Sequence, residues 1–246
     1  MRMGGGHLSP FAKVLARSSD MAFFDLFRKK ENNTKEDDNS LSSIYQAKGC
    51  YCQEYLDAFT SRFPKKNNDN LFTLCEIYTE LERYEEAKEC LDPITPGSIL
   101  DDITKGQLLH CRIMLFMEEG KFQKALEIYS ENKKFLDRFM KNPVRSKISG
   151  DFYSNSAVLC AFSKDAEYED IYIKRLREWC DIFPKNRLLL EITQAKILLL
   201  TQNEEAEEAL ASCRRHILDF QGFQYEWERE YYIKKLDRAI RIMREA

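Results

Sequence analysis

Residues 63–91 read FPKKNNDNLFTLCEIYTELERYEEAKECL, and the fold follows from them. Apolar side chains recur at three- and four-residue steps through Leu71, Leu74, Cys75, Tyr78, Leu81, Tyr84, Ala87 and Leu91, the period of helices that bury one face. Pro64 and the polar residues behind it suit a chain turning into a new helix. The unit recurs downstream, where Phe183-Pro184-Lys185-Asn186 is followed by the apolar run Leu188 to Ala206. Ahead of each proline the same ladder appears: Leu56, Phe59 and Phe63 are answered by Leu176, Trp179 and Phe183, each 120 residues on (176 − 56, 179 − 59, 183 − 63). Two copies of one structural unit account for this.

From Leu41 onward the pattern stays helical, with no run of alternating β-branched residues that predicts a strand. Pro64, Pro93, Pro96, Gly97, Gly120, Pro143, Gly150 and Pro184 fall where helices are expected to stop or turn, which divides the chain into about ten helices of ordinary length. Short connections between them predict antiparallel hairpins.

The stretch Leu74-Cys75-x-x-Tyr78, then Leu81, Tyr84, Ala87 and Leu91, resembles the tetratricopeptide signature, in which small residues let the two helices of a hairpin approach closely. Phe116, Gly120-Lys121-Phe122, Ala125 and Tyr129 resemble a second copy; Ile197, Leu200, Glu204-Glu205-Ala206, Leu210 and Cys213 resemble a third. A divergent unit occupies Phe152 to Phe183. Ala87 and Ala125 are 38 residues apart (125 − 87), longer than the family's repeat of about 34, so the expected array is irregular. The expectation is an all-α chain: a tetratricopeptide-like α-solenoid of hairpins over 41–246, closed by a capping helix from Phe223 to Ala246 whose cations lie near its C-terminal end. Cys75, Ala87, Ala125 and Ala206 are expected at the helix crossings.

Residues 1–40 differ in character. They contain Gly4-Gly5-Gly6 and a polar run from Lys29 to Ser40, and are expected to form a flexible tail. Phe11 to Phe27 suits a short amphipathic helix able to touch a membrane surface. Elsewhere no apolar run approaches the ~20 residues of a membrane span.

With 38 basic and 41 acidic residues the net charge is −3, which removes the general attraction for nucleic acid. Eight cysteines scattered among apolar positions, with no secretory leader ahead of them, read as reduced thiols of a cytoplasmic protein. Cys50 and Cys52, if helical, point to opposite faces, and the three histidines supply no paired-ligand spacing. No nucleophile elbow or phosphate loop is present. The reading is a non-catalytic binding protein without metal or cofactor.

In tetratricopeptide arrays the first helix of each hairpin lines the concave groove. The resemblance therefore implies a groove lined by Asp69, Phe72, Glu76 and Thr79 on one helix and Gln107, His110, Met114 and Met117 on the next. Such a lining favours cationic or apolar peptides over anionic ones. A separate basic stripe, Lys134, Arg138 and Lys141, is spaced to lie on one helical side and suits an acidic partner. The expected function is a protein- or peptide-binding scaffold. Alternatives are a peptide-responsive regulatory sensor and an all-helical enzyme with buried paired carboxylates.

Overall fold

The computed structural model describes residues 41–64, 67–94, 101–140, 149–182 and 186–245. The expected tail over 1–40, the turn residues Pro96, Gly97 and Pro143, the Phe183-Pro184-Lys185 copy and Lys141 lie outside the described residues. The helices are α1 (Leu41–Lys48), α2 (Gln53–Arg62), α3 (Asn68–Glu80), α4 (Tyr84–Leu91), α5 (Asp102–Glu118) and α6 (Phe122–Met140). They continue as α7 (Ser149–Phe162), α8 (Ala166–Ile182), α9 (Asn186–Leu200), α10 (Ala206–Asp219) and α11 (Glu226–Glu245). The chain is all-helical, with no strand among the described residues.

Helix starts follow local chemistry. Asn67 caps α3, its side chain accepting from the Asn70 backbone N–H at 2.9 Å, and Asp101 caps α5 by accepting from Ile103 and Thr104. Those bonds hold the Asp101 carboxyl below its ordinary pKa.

Four successive hairpins pack closely: α3 on α4, α5 on α6, α7 on α8 and α9 on α10. The first helix of each also packs on the first helix of the next, α3 on α5, α5 on α7 and α7 on α9; α9 then packs on α11. All four hairpins turn the same way. Three-residue links carry a left-handed centre at Glu82 (φ 59°), Gly120 (φ 74°) and Lys164 (φ 61°), and the longer link over 201–205 carries one at Gln202 (φ 53°). In each, two backbone N–H groups reach back over the helix end: Glu82 to Thr79 and Arg83 to Tyr78, Gly120 to Met117 and Lys121 to Phe116, Lys164 to Ala161 and Asp165 to Cys160, Gln202 to Leu199 and Asn203 to Leu198. This is the Schellman arrangement, which satisfies the last carbonyls of a helix. Three of the four centres carry a side chain where glycine is the unstrained choice, at about 1 kcal/mol each.

Cys75, Ala87 and Ala125 are fully buried and Ala206 is 6% exposed, so the small residues do sit inside. The main core gathers Ile113, Phe122, Ala125, Phe139, Val158 and Leu159 from α5 to α7; a second core gathers Leu188, Ile192, Leu210, Cys213 and Leu236 from α9 to α11. Gly150 departs from expectation. It lies in the first turn of α7 rather than at a stop, where an added Cβ would come within 2.8 Å of the Trp179 indole nitrogen. Cys50 and Cys52 are not helical either; they lie in the turn between α1 and α2.

Helix α11 does more than close one end. It packs on α9 and α10, and its N-terminal end meets α1. There Trp227 stands edge-on to Tyr45, with ring centroids 5.2 Å apart, and covers Gly49 so tightly that a Cβ would fall 2.7 Å from the indole. Near its other end Ile242 and Met243 join the main core.

Candidate functional site

Charged side chains belong at the surface unless paired, and this chain buries several of them together. Arg238 of α11, 7% exposed, donates to the Glu80 carbonyl at 3.0 Å and to Glu80 Oε2 at 2.5 Å, while its Nε lies 2.7 Å from Glu118 Oε2. Lys196 of α9 sits 3.7 Å from Glu118 Oε1. Lys235 lies 3.8 Å from Glu80 and 3.9 Å from Asp151, and Tyr231 donates to Glu80 Oε1 at 3.1 Å. Carboxylates of α3, α5 and α7 are thus joined to cations of α9 and α11.

The pKa directions follow from these neighbours. Burial opposes the Glu118 carboxylate, but Lys196 and Arg238 hold its pKa below the ordinary range. Burial likewise disfavours the Lys235 cation; Tyr231, Glu80 and Asp151 outweigh it and raise that pKa well above normal. Lys196 goes the other way, because its burial exceeds the attraction of Glu118. Glu76 has no such partner close by. Burial first, then Asp151 and Glu80, push its carboxyl up to about 7.

Glu76→Gln therefore carries a pH signature. The folded chain keeps the Glu76 proton up to about pH 7, whereas the unfolded chain releases it near 4.5. Between those values the folded state binds more protons, so stability falls as pH rises. Glutamine removes that fall: Glu76→Gln is expected to be close to neutral at pH 5 and stabilising by roughly 2 kcal/mol at pH 8. Urea unfolding at the two pH values measures it, and an equal effect at both refutes it.

The residues implied for the groove separate under this arrangement. Phe72, Thr79, His110 and Met117 are buried, Glu76, Gln107 and Met114 are half-buried, and Asp69 alone is exposed. Thr79 donates back to the Cys75 carbonyl at 2.7 Å. His110 Nδ1 is buried with no hydrogen-bond partner; burial, with Lys235 adding to it, keeps the ring's pKa low against the pull of Asp151. The carboxylates that pair with α9 and α11 are Glu80, Glu118 and Asp151, none of them among these eight. A cavity of about 320 Å³ remains beside α11, bordered by Tyr51, Tyr231, Glu80, Glu82, Lys234 and Arg241. Tyr51 and Tyr231 stack there at 5.1 Å.

Of the basic stripe, Lys134 and Arg138 are exposed on α6 and Lys141 lies outside the described residues. A second buried network ties α6 to α8: Tyr129 and Tyr172 hydroxyls meet at 2.6 Å, and Tyr172 donates to Asp137 at 2.7 Å.

Two further observations bound the chemistry. Among the described residues no group of three or more His, Cys, Asp or Glu is arranged to hold a metal ion, and no helix is long and apolar enough to cross a membrane. His216 Nδ1 bonds to Glu191 at 2.9 Å, and Cys213 beside it is buried.

No family model, curated protein or solved structure matches this chain. The interior ion pairs were not legible in sequence: Arg238 and Glu80 are 158 residues apart, and no local spacing connects them. Helical phase alone gave a hint, since Lys235 and Arg238 share a side of α11 with Tyr231 and Ile242.

Proposed function

We propose that the chain is a non-catalytic scaffold that holds a protein or peptide, built as an irregular tetratricopeptide-like α-solenoid. The observation that carries this reading is the recurrence of one turn. The left-handed centres at 82, 120, 164 and 202 stand 38, 44 and 38 residues apart (120 − 82, 164 − 120, 202 − 164), each joining the two helices of one hairpin, and the first helices of successive hairpins pack on one another. A chain that repeats a unit in this way builds a pre-formed surface from successive hairpins, which suits holding another chain.

The buried ionisable groups fit this better than catalysis. Glu80, Glu118, Lys196 and Arg238 are engaged with one another in ion pairs, which suit fixing the position of α11 better than offering a free acid or base. The eight cysteines are free thiols, in keeping with a reducing compartment such as the cytoplasm.

Affinity capture with the full chain from its native cell, followed by mass spectrometry and reconstitution with the purified candidate, is the direct test. The expected result is one specific protein that rebinds and raises the melting temperature in proportion to its concentration. Failure of every captured protein to rebind overturns the scaffold reading.

A further inference from the structure

We propose that α1 and the turn 49–52 form a proton-controlled cover, seated on α11 while Glu76 keeps its proton and lifted when Glu76 gives it up. This goes beyond the scaffold reading and does not depend on it. Glu76 stands on α3 one turn before Glu80. The other titratable groups around it are Cys50 and Tyr51 of the turn, Glu80 on its own helix, Cys111 of α5, Asp151 of α7 and Lys235 of α11. His110 of α5 shares Asp151 and Lys235 with it. Glu76 therefore sits where the turn, three first helices and α11 converge.

The charges at this point are matched without Glu76. Glu80, Glu118 and Asp151 face Lys196, Lys235 and Arg238 in one continuous chain of ion pairs. Burial pushes the Cys50 thiol up to about 12; Cys50, and then burial, raise the Tyr51 phenol well above its ordinary value; Cys75, and then burial, do the same to Cys111. None of the three supplies charge near neutral pH, and burial keeps the His110 ring neutral as well. A Glu76 carboxylate thus finds no unmatched cation, and among the described residues no hydrogen bond reaches it. Once ionised it is an uncompensated charge in a half-buried place, which entering water relieves.

The cover is the part best able to admit that water. It meets α11 through rings: Tyr45 stands edge-on to Tyr225 and Trp227, and Tyr51 stacks on Tyr231. Trp227 Nε1 is buried there with no hydrogen-bond partner, so closure leaves one donor unsatisfied. The cavity of about 320 Å³ bordered by Tyr51 and Tyr231 shows that the interior on this side is not filled. By contrast Leu236 of α11 packs into the second core with Leu210 and Ile217, which holds α11 on α10. Lifting the cover therefore hydrates Glu76 and opens the cavity while α11 stays in place. Helix α1 has only eight residues, too few to persist as a helix once detached, so lifting also frees its amides.

Hydrogen exchange of the full chain at pH 6 and pH 8, scaled by the intrinsic rates, reads that opening. The closed form holds the Glu76 proton up to about pH 7 and the open form releases it near 4.5, so opening grows easier as pH rises between those values and levels off above them. Protection of the α1 amides, and of the Gly49 N–H that donates to the Tyr45 carbonyl at 2.9 Å, is expected to fall about tenfold from pH 6 to pH 8. Low concentrations of urea are expected to leave exchange in α1 unchanged while speeding it in the core of α7, since the opening is local. Glu76→Gln is expected to abolish the fall, and Asp69→Asn, at the exposed start of the same helix, to preserve it. Equal protection at the two pH values, a fall that survives Glu76→Gln, or a urea dependence in α1 equal to that of the core each overturns the proposal. The comparison of pH values in the unsubstituted chain decides the first point whether or not either variant folds well.

Discussion

Arg238→Met is expected to lower the unfolding free energy by about 3–5 kcal/mol, the range for removing one member of a buried ion pair. The guanidinium is 7% exposed and touches both Glu80 and Glu118, so its loss leaves two carboxylates beneath α11 with only Lys196, Lys235 and Tyr231 to share. The cost comes from those stranded charges more than from the lost attraction. Changing Glu80 and Glu118 to Gln in the same chain is therefore expected to recover most of the stability, since a neutral buried set avoids desolvation. Arg241→Met is the control: its pair with Glu82 is about half exposed on both sides and is expected to contribute no more than about 1 kcal/mol. Urea unfolding followed by circular dichroism gives all three values. A loss below 1 kcal/mol for Arg238→Met would mean that α11 is held by its apolar residues alone.

Phe139→Ala is expected to cost about 3–5 kcal/mol, as for other large aromatic truncations in well-packed cores. Phe139 is 2% exposed and closes the hairpin against Gly106, where an added Cβ would sit 2.3–2.5 Å from three atoms of its ring. Gly106→Ala alone is consequently overpacked and is expected to cost about 1–3 kcal/mol. In the double variant the new methyl enters the space the ring vacated, so the combined loss is expected to fall short of the sum by at least 0.5 kcal/mol. Strict additivity would show that the two residues do not share that contact. Phe139 also stacks on Phe135 at 5.9 Å, so the truncation loosens the ring on which Lys105 and Arg138 rest.

Much of the helical content was legible because its signals are local. The three- and four-residue steps around Leu74, Tyr78 and Ala87 report a buried helix side without any tertiary information. The turns were legible in one case out of four. Gly120 marks its left-handed centre by having no side chain, whereas Glu82, Lys164 and Gln202 occupy the same conformation and look like ordinary polar helix residues. Gly150 misled for the converse reason: it is small because Trp179 approaches it, and a close approach leaves the same mark in sequence as a stop. Similarly, Gly106 reads as a blemish in α5 until Phe139 is placed beside it.

The candidate site divides along the same line. Lys134 and Arg138 share a helical side and are exposed there, which spacing alone predicts. Lys105 and Phe135, by contrast, are 30 residues apart (135 − 105) and meet only through hairpin closure. The eight residues implied for a groove came from a resemblance, which carries no information about which of them this chain buries. Lys235 and Arg238 were expected to serve the end of their own helix; they instead reach carboxylates contributed by α3, α5 and α7. Long-range charge pairing has no period, and so leaves no pattern to read.

The pairing of Glu80 with Arg238 also sets an order of events during translation. Because the ribosome delivers residue 238 last among these groups, α3 exists for 158 residues of elongation before its counterion emerges. At 5–20 residues per second that interval is roughly 8–30 s. Until α9 and then α11 emerge, Glu118, Glu80 and Asp151 lack the cations that neutralise them in the folded chain, so this charge network is the last part of the interior to close.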